Sequence, residues 1–231
     1  MIVWVASFPR SGSTFLRIAL NRLYGIPTSV VYDFDGVARR VGETLVGFEE
    51  LPMTYDAMRR GPTVHFVKTH KPRFDHRIAP EDQAVYLARD GRDALVSWAR
   101  QQSEHDAAAF EPMLRTMIEA DPQRGSGRWG GNVLSWLRTP GVHLLRYDDL
   151  IRDPQGCLAR LVPALDPARV PRVHAVVPSF AELQQLDDRF FRRGFTGTHA
   201  DEMPPVLHDL FWAQPDNVEA MSVLGLGEPN A

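Results

Sequence analysis

The chain has 231 residues, 44% of them hydrophobic and 24% charged, with 17 Gly and 18 Pro; this balance belongs to a globular protein and excludes collagen-like, low-complexity and wholly disordered chains. Lys plus Arg number 26 against 29 Asp plus Glu, a formal charge of −3, which argues against bulk attraction to nucleic acid or an anionic membrane. One cysteine, Cys157, excludes an intrachain disulfide; the longest apolar run, from Met1 to Ala6, is too short for a membrane span, and Pro9 and Arg10 interrupt the segment where a signal peptide would need an apolar stretch. No Cys/His spacing points to structural zinc. The expectation is a soluble, cytoplasmic protein folded as one domain over residues 1–231.

Short runs rich in Val, Ile, Leu and aromatics predict strands over 2–6, 64–67, 84–88 and 142–145, and helical periodicity predicts helices over 14–24, 93–102 and 132–137. Strands alternating with helices predict an α/β fold, a central, mostly parallel sheet flanked by helices, with ligand at the carboxyl ends of the strands. Segments 33–61 and 102–127 fall outside this rhythm and read equally as lids or as surface connections.

The first unit runs from the predicted strand into Ser7-Phe8-Pro9-Arg10-Ser11-Gly12-Ser13-Thr14 and then a helix. A tight polar turn at a helix N-terminus is an anion site, because the first helical amides lack internal partners and the dipole favours negative charge. Gly12 lets the backbone approach closely, Ser11, Ser13 and Thr14 add hydroxyl donors, and Arg10 adds a permanent positive charge. An ordinary strand-to-helix turn is the plain alternative. The run is not a Walker A loop, since Ser7 stands where its first Gly belongs and Ser13 where its Lys belongs.

The second strand ends in Lys68, Thr69, His70 and a helix-stopping Pro72. A histidine at a strand's carboxyl end, with an unperturbed pKa near ~6.5, suits proton abstraction from a hydroxyl. Arg89 ends the third strand, and Ser97 falls roughly two turns into the following helix, so both can face one anion; Asp90, Arg92 and Asp93 read as a local salt-bridge and capping set. Tyr147 is expected at the end of the fourth strand, facing either a pocket or the core. Farther on, Phe180 and the pair Arg192-Arg193 beside Gly194 place aromatics and forked cationic donors in a loop-rich region, where a solvated surface pair is the plain alternative.

In this order, Ser7 to Phe15, Lys68 to Pro72, Arg89 with Ser97, Arg146 to Leu150, Pro178 to Phe180 and Arg192 to Gly194 resemble the sulfotransferases that use 3′-phosphoadenosine 5′-phosphosulfate (PAPS). The similarity spans nearly the whole chain and implies the P-loop-like nucleotide-binding fold of that family. It further implies that Arg10, Ser11, Gly12, Ser13 and Thr14 cradle the 5′-phosphosulfate, while Arg89, Ser97, Arg192, Arg193 and Gly194 hold the 3′-phosphate. Phe15 and Phe180 would sandwich the adenine and Tyr147 would contact its edge; His70 would be the general base, with Lys68 and Arg10 beside the transferring group. No metal is implied. The loop carries Arg10 where cytosolic members usually have lysine, as in some carbohydrate-modifying members.

The implied acceptor is a small molecule or natural product bearing a hydroxyl, with Phe48, Trp98 and Trp129 as candidate apolar walls; neither nucleic acid nor membrane is an expected partner, and monomer or homodimer stays open. A nucleotide-dependent kinase and a non-catalytic module binding PAPS or its product, adenosine 3′,5′-bisphosphate (PAP), are the competing readings. Preference for ATP with magnesium would mark the first, and binding without turnover the second.

Overall fold

In a computed structural model that describes residues 1–227 except 105 and 122, the chain opens with β1 (Ile2–Ser7), α1 (Ser13–Tyr24) and β2 (Thr28–Val30). Two positions of the 102–127 segment and the last four residues of the chain lie outside that description. Three short helices follow, α2 (Gly36–Val41), α3 (Glu43–Val46) and α4 (Tyr55–Arg60), before β3 (His65–Thr69) and β4 (Gln83–Ala88). Then come α5 (Gly91–Gln102), α6 (Ala107–Ile118), α7 (Trp129–Leu137) and β5 (Val142–Arg146). The remainder is helical: α8 (Tyr147–Arg152), α9 (Pro154–Leu165), α10 (Phe180–Leu186), α11 (His199–Glu202), α12 (Pro205–Trp212) and α13 (Pro215–Val223).

All pairings within the five-stranded sheet are parallel, in the order β2-β3-β1-β4-β5. A central parallel strand is covered on both faces, so it reads as a continuous apolar run, and every residue of β1 is buried. Side chains alternate across the sheet. Trp4, Ala6 and Tyr86 join one core layer with α5, α6 and α7, whereas Val3, Val5 and Leu87 join the other with α1 and α9. Because β1 has β3 on one side and β4 on the other, its carboxyl end opens the crevice where ligands bind in open α/β sheets.

Four sequence expectations need correction. The strand β2, whose three residues pair only with β3, was absent from the predicted set. Tyr147 does not end a strand; β5 stops at Arg146 and Tyr147 is the first residue of α8. Trp129 is a core residue, not a pocket wall: it is 1% exposed and packs its ring 5.7 Å from that of Phe211. Asp93 does not cap α5, because Asp90 accepts from the Arg92 amide in that role and Asp93 points to the loop before α11.

The two irregular segments are neither simple lids nor bare connections. Phe110, Leu114, Met117 and Ile118 of α6 enter the larger core layer, so much of 102–127 is structural. In 33–61, Asp35 accepts from the amides of Val37 and Ala38 to start α2, and its carboxylate lies 2.6 Å from Arg17 of α1. That buried pair fastens α2 beside the mouth of the crevice.

Candidate active site

The crevice is a cavity of about 880 Å³ at the carboxyl ends of β1, β3 and β4, within the range of small-molecule sites. Arg10, Gly12, Ser13, Thr14, Phe15, Lys68, His70, Arg89, Ser97, Tyr147, Phe180, Arg192, Arg193 and Gly194 all line it, so residues from both ends of the sequence meet in one place. Ser11 is the exception. It is 1% exposed, and its hydroxyl is buried with no partner among the described residues.

The 5′ end of the site is built by the turn from β1 into α1. Gly12 occupies the cap position with φ 97°, and no side chain caps the helix. By contrast, α5, α9 and α10 are capped by Asp90, Asp153 and Ser179. The first amides of α1 therefore keep their donors for a ligand, and no acidic residue in the first turn competes for them. A side chain at position 12 is excluded by φ and by space, since a Cβ there would sit 2.6 Å from the Tyr147 ring.

Arg10 also has a positive φ, 63°, which is strained for a non-glycine residue and typical of functional turns. Its conformation is held from three sides: Nε donates to Ser97 Oγ at 3.2 Å, Nη2 donates to the Phe190 carbonyl at 2.6 Å, and Arg89 Nη1 donates to the Arg10 carbonyl at 3.0 Å. Burial first, then the charge of Arg89, pulls the Arg10 guanidinium down to about 10, and Arg192 and Arg40 act in the same direction. It stays cationic at neutral pH, and so many cations turned toward one cavity favour an anion within it.

The second cationic cluster gathers β4, α5 and the loop before α11. Arg89 is 9% exposed, its guanidinium stacks 4.5 Å over the Tyr147 ring, and its Nη2 donates to the Phe195 carbonyl at 3.2 Å. Its Nε is buried without a partner among the described residues. Gly194, with φ 67°, lets the chain pass against Phe180, where a Cβ would lie 2.4 Å from the ring. The Asp93 carboxylate accepts from the Gly197 and His199 amides at 2.8 and 2.9 Å and from His199 Nδ1 at 2.8 Å. Burial pushes the Asp93 carboxyl up, but the His199 bond, the Arg89 charge and the amides outweigh it and hold it at about 2.

On the side of the β1–α1 turn away from Arg89 stand His70 and Lys68, because β1 lies between β3 and β4. His70 Nδ1 is 2.8 Å from the Ser7 carbonyl, an oxygen that can only accept, so the proton sits on Nδ1 and Nε2 is left as an acceptor. The backbone amide of His70 donates to Tyr32 Oη at 2.8 Å. Burial first, then the neighbouring Lys68 charge, keeps the imidazole pKa well below 6.5. Burial and Arg17 pull the Lys68 ammonium down to about 7, and its Nζ lies 4.9 Å from the centre of the Tyr32 ring. A neutral base and a buried amine thus share the wall facing the α1 amides.

Sequence reasoning missed the roles of Tyr32, Phe190 and Glu202 and read Asp93 only as a local capping or salt-bridge residue; all four act on the site through its named residues. Phe190 offered a signal, an aromatic two residues before the arginine pair, and its ring lies 4.5 Å beneath the Arg10 guanidinium. Tyr32 and Asp93 gave none, because their partners are remote in sequence, and Glu202 gave none, because an acid ten residues after Arg192 reads as a surface residue. Of the candidate walls, Trp98 lines the cavity, while Phe48 packs against a small core cluster around Ile18 and Val46.

Known proteins share parts of this sequence and its fold. A WSCD family member from Aedes aegypti is 29% identical over 171 residues, 70% of this chain and 49% of that protein. One from Drosophila melanogaster is 30% identical over 154 residues, 64% of this chain and 44% of that protein. The chain spans about half the length of these curated relatives. Among solved structures, a mouse sulfotransferase, SULT7A1, complexed with PAP superposes with a TM-score of 0.60 at 15% identity, covering 96% of this chain and 84% of that one. Retinol dehydratase in complex with androsterone and inactive cofactor PAP gives 0.59 at 18% identity, covering 100% and 83%. These two share the fold. The sulfotransferase domain family matches residues 2–167, well over half of the chain, and the chain belongs to that family.

Proposed function

We propose that the protein transfers a sulfuryl group from PAPS to the hydroxyl of a small-molecule acceptor, releasing PAP. The observation that carries this reading is the pairing of two anion-binding ends in one cavity, with His70, its Nε2 left as an acceptor, beside the helix-amide end. One end offers uncapped helix amides beside Gly12, and the other offers Arg89, Arg192 and Arg193. The charges of Arg89, Arg192 and Arg193 suit a 3′-phosphate at that second end, and Phe180, packed against Gly194, offers a flat ring to a base.

When bound, PAPS would supply an activated sulfuryl group on a phosphate leaving group. His70 Nε2 accepts the acceptor's hydroxyl proton as the acceptor oxygen bonds to sulfur and the bond from sulfur to the bridging phosphate oxygen breaks. The α1 amides, Arg10 and Lys68 stabilise the negative charge that develops on that bridging oxygen. Phe15, from α1, and Phe180, from α10, hold the adenine, and Tyr147 bounds the site between them. Catalysis on this reading is mostly positioning and charge stabilisation.

The acceptor side is bounded by Pro9, Trp98, Gln101 and Ser126. One apolar ring among neutral hydrogen-bonding groups suits an uncharged acceptor that carries hydroxyls on an apolar frame. The test is transfer from sulfur-labelled PAPS to a panel of phenols, alcohols and sugars, with PAP release followed in parallel. Labelled product and equimolar PAP are expected with at least one acceptor class. Tight PAP binding without transfer to any acceptor, and without hydrolysis of PAPS, would contradict the catalytic reading.

A further inference from the structure

The arginines at the 3′ end of the cavity are organised by a carboxylate outside it. Glu202, on α11, accepts from Arg192 Nη1 at 2.8 and 2.9 Å and from Arg100 Nε at 3.1 Å, and lies 3.3 Å from Arg193 Nε. Its side chain is 8% exposed, whereas those of Arg192 and Arg193 are 21% and 35% exposed. Arg192 and Arg193 line the cavity; neither Glu202 nor Arg100 is among its lining residues. The carboxylate therefore stands behind the two arginines, away from where a phosphate would lie.

Each guanidinium is a planar fork with five donors. Glu202 takes Nη1 of Arg192 and faces Nε of Arg193, whose Nη1 lies 3.9 Å from the exposed Asp201, and Nη2 of each fork makes no hydrogen bond among the described residues. Arg100 closes the cluster from the rear, with its guanidinium 3.6 Å from the centre of the Phe110 ring. Three cations crowded together repel one another, and one buried carboxylate among them fixes their separation. The element carrying it is itself pinned, because Asp93 of α5 binds the amides of Gly197 and His199 at the start of α11.

We propose that Glu202 is a positioning residue that sets Arg192 and Arg193 for a 3′-phosphate, and so determines selectivity for nucleotides bearing that group. The proposal rests on the PAPS reading given above. Glu202 is not a stand-in for the phosphate, since a stand-in would occupy the cavity. The 3′-phosphate contact is the same in ground and transition states, so its loss should raise the donor KM and leave kcat nearly unchanged.

The experiment is calorimetric titration of wild type, Glu202→Gln and Arg100→Gln with PAP and, separately, with 5′-AMP. Glu202→Gln should weaken PAP roughly 10- to 100-fold, as expected for loss of a charged hydrogen-bonding partner, while 5′-AMP changes by no more than about 3-fold. Arg100→Gln should show the same selective loss at smaller size, although Arg100 does not line the cavity, and it provides the test should Glu202→Gln fail to fold. Glu202→Asp should recover part of the PAP affinity. Equal losses for both nucleotides, or unchanged PAP affinity in both variants, would overturn the positioning role. Tighter PAP binding by Glu202→Gln would overturn it in favour of a carboxylate that competes with the phosphate. A wild type that does not distinguish PAP from 5′-AMP would instead overturn the donor reading on which the proposal stands.

Discussion

His70 Nδ1 lies 2.8 Å from the carbonyl oxygen of Ser7, so the last residue of β1 orients the imidazole at the end of β3. The contact uses backbone rather than side chain, and parallel pairing of β1 with β3 fixes its register, with Ala6 opposite Thr69. Sheet geometry thereby sets the tautomer of the base.

Replacing His70 with Ala should lower kcat on the order of 10²- to 10⁴-fold, the usual contribution of a positioned general base. PAP affinity should stay within about 3-fold, since the groups assigned to the phosphates are untouched. Steady-state kinetics with a labelled donor and calorimetry on the same preparation measure the two quantities. A variant with near-normal kcat would remove His70 from the role.

The pH profile follows from two depressed pKa values. Lys68, lowered mainly by burial to about 7, is charged below that pH and neutral above it. If the charged form is required, kcat/KM falls as pH rises through about 7. Bound donor adds negative charge beside the ammonium and favours it, so the alkaline limb of kcat should lie at higher pH. His70, held well below 6.5 by burial and by Lys68, is neutral throughout this range, so the acid limb should lie below 6.5. A kcat/KM profile that is flat from about pH 6 to about pH 9 would contradict the assignment.

Arg89 joins the two ends of the site by donating to the carbonyls of Arg10 and Phe195. Arg89→Ala should weaken PAP on the order of 100-fold, the scale for removing one partner of a buried charged contact. For 5′-AMP the loss should be nearer 5-fold, reflecting only the slackened turn at Arg10. Parallel titrations with the two nucleotides measure the difference, and equal losses would move Arg89 away from the 3′-phosphate.

Gly194→Ala places a methyl group where φ is 67° and the Phe180 ring is 2.4 Å away. Relief requires the ring or the loop to move, at a cost of roughly 1–3 kcal/mol. PAP and 5′-AMP should both weaken, because both present an adenine to Phe180, and the melting temperature should fall modestly. Unchanged affinity for both would separate Phe180 from the base.

Much of this site was readable in the sequence because its chemistry lies at junctions with strong local signals. The apolar run of β1 leads into a turn of small and hydroxylated residues, and Lys68 and His70 stand where a strand meets Pro72. Elements without such signals were missed or misplaced. Three-residue β2 is too short for periodicity, and Tyr147 starts a helix directly after a strand with no intervening turn. The aromatic character of Trp129 does not separate a core position from a pocket wall; contact with Phe211, more than eighty residues away, decides it. The role of Asp93 escaped for the same reason, since the loop it holds is more than a hundred residues away, whereas Glu202 is ten residues from Arg192 and escaped because no local pattern marks it as buried.

The most direct test of the central claim is calorimetric titration of the wild-type protein with PAP, 5′-AMP and magnesium–ATP. The geometry predicts tight binding of PAP, much weaker binding of 5′-AMP, and no preference for ATP, because two cationic ends flank a single nucleotide-sized cavity. A preference for magnesium–ATP, or equal affinity for PAP and 5′-AMP, would contradict the assignment of Arg89, Arg192 and Arg193 to a 3′-phosphate.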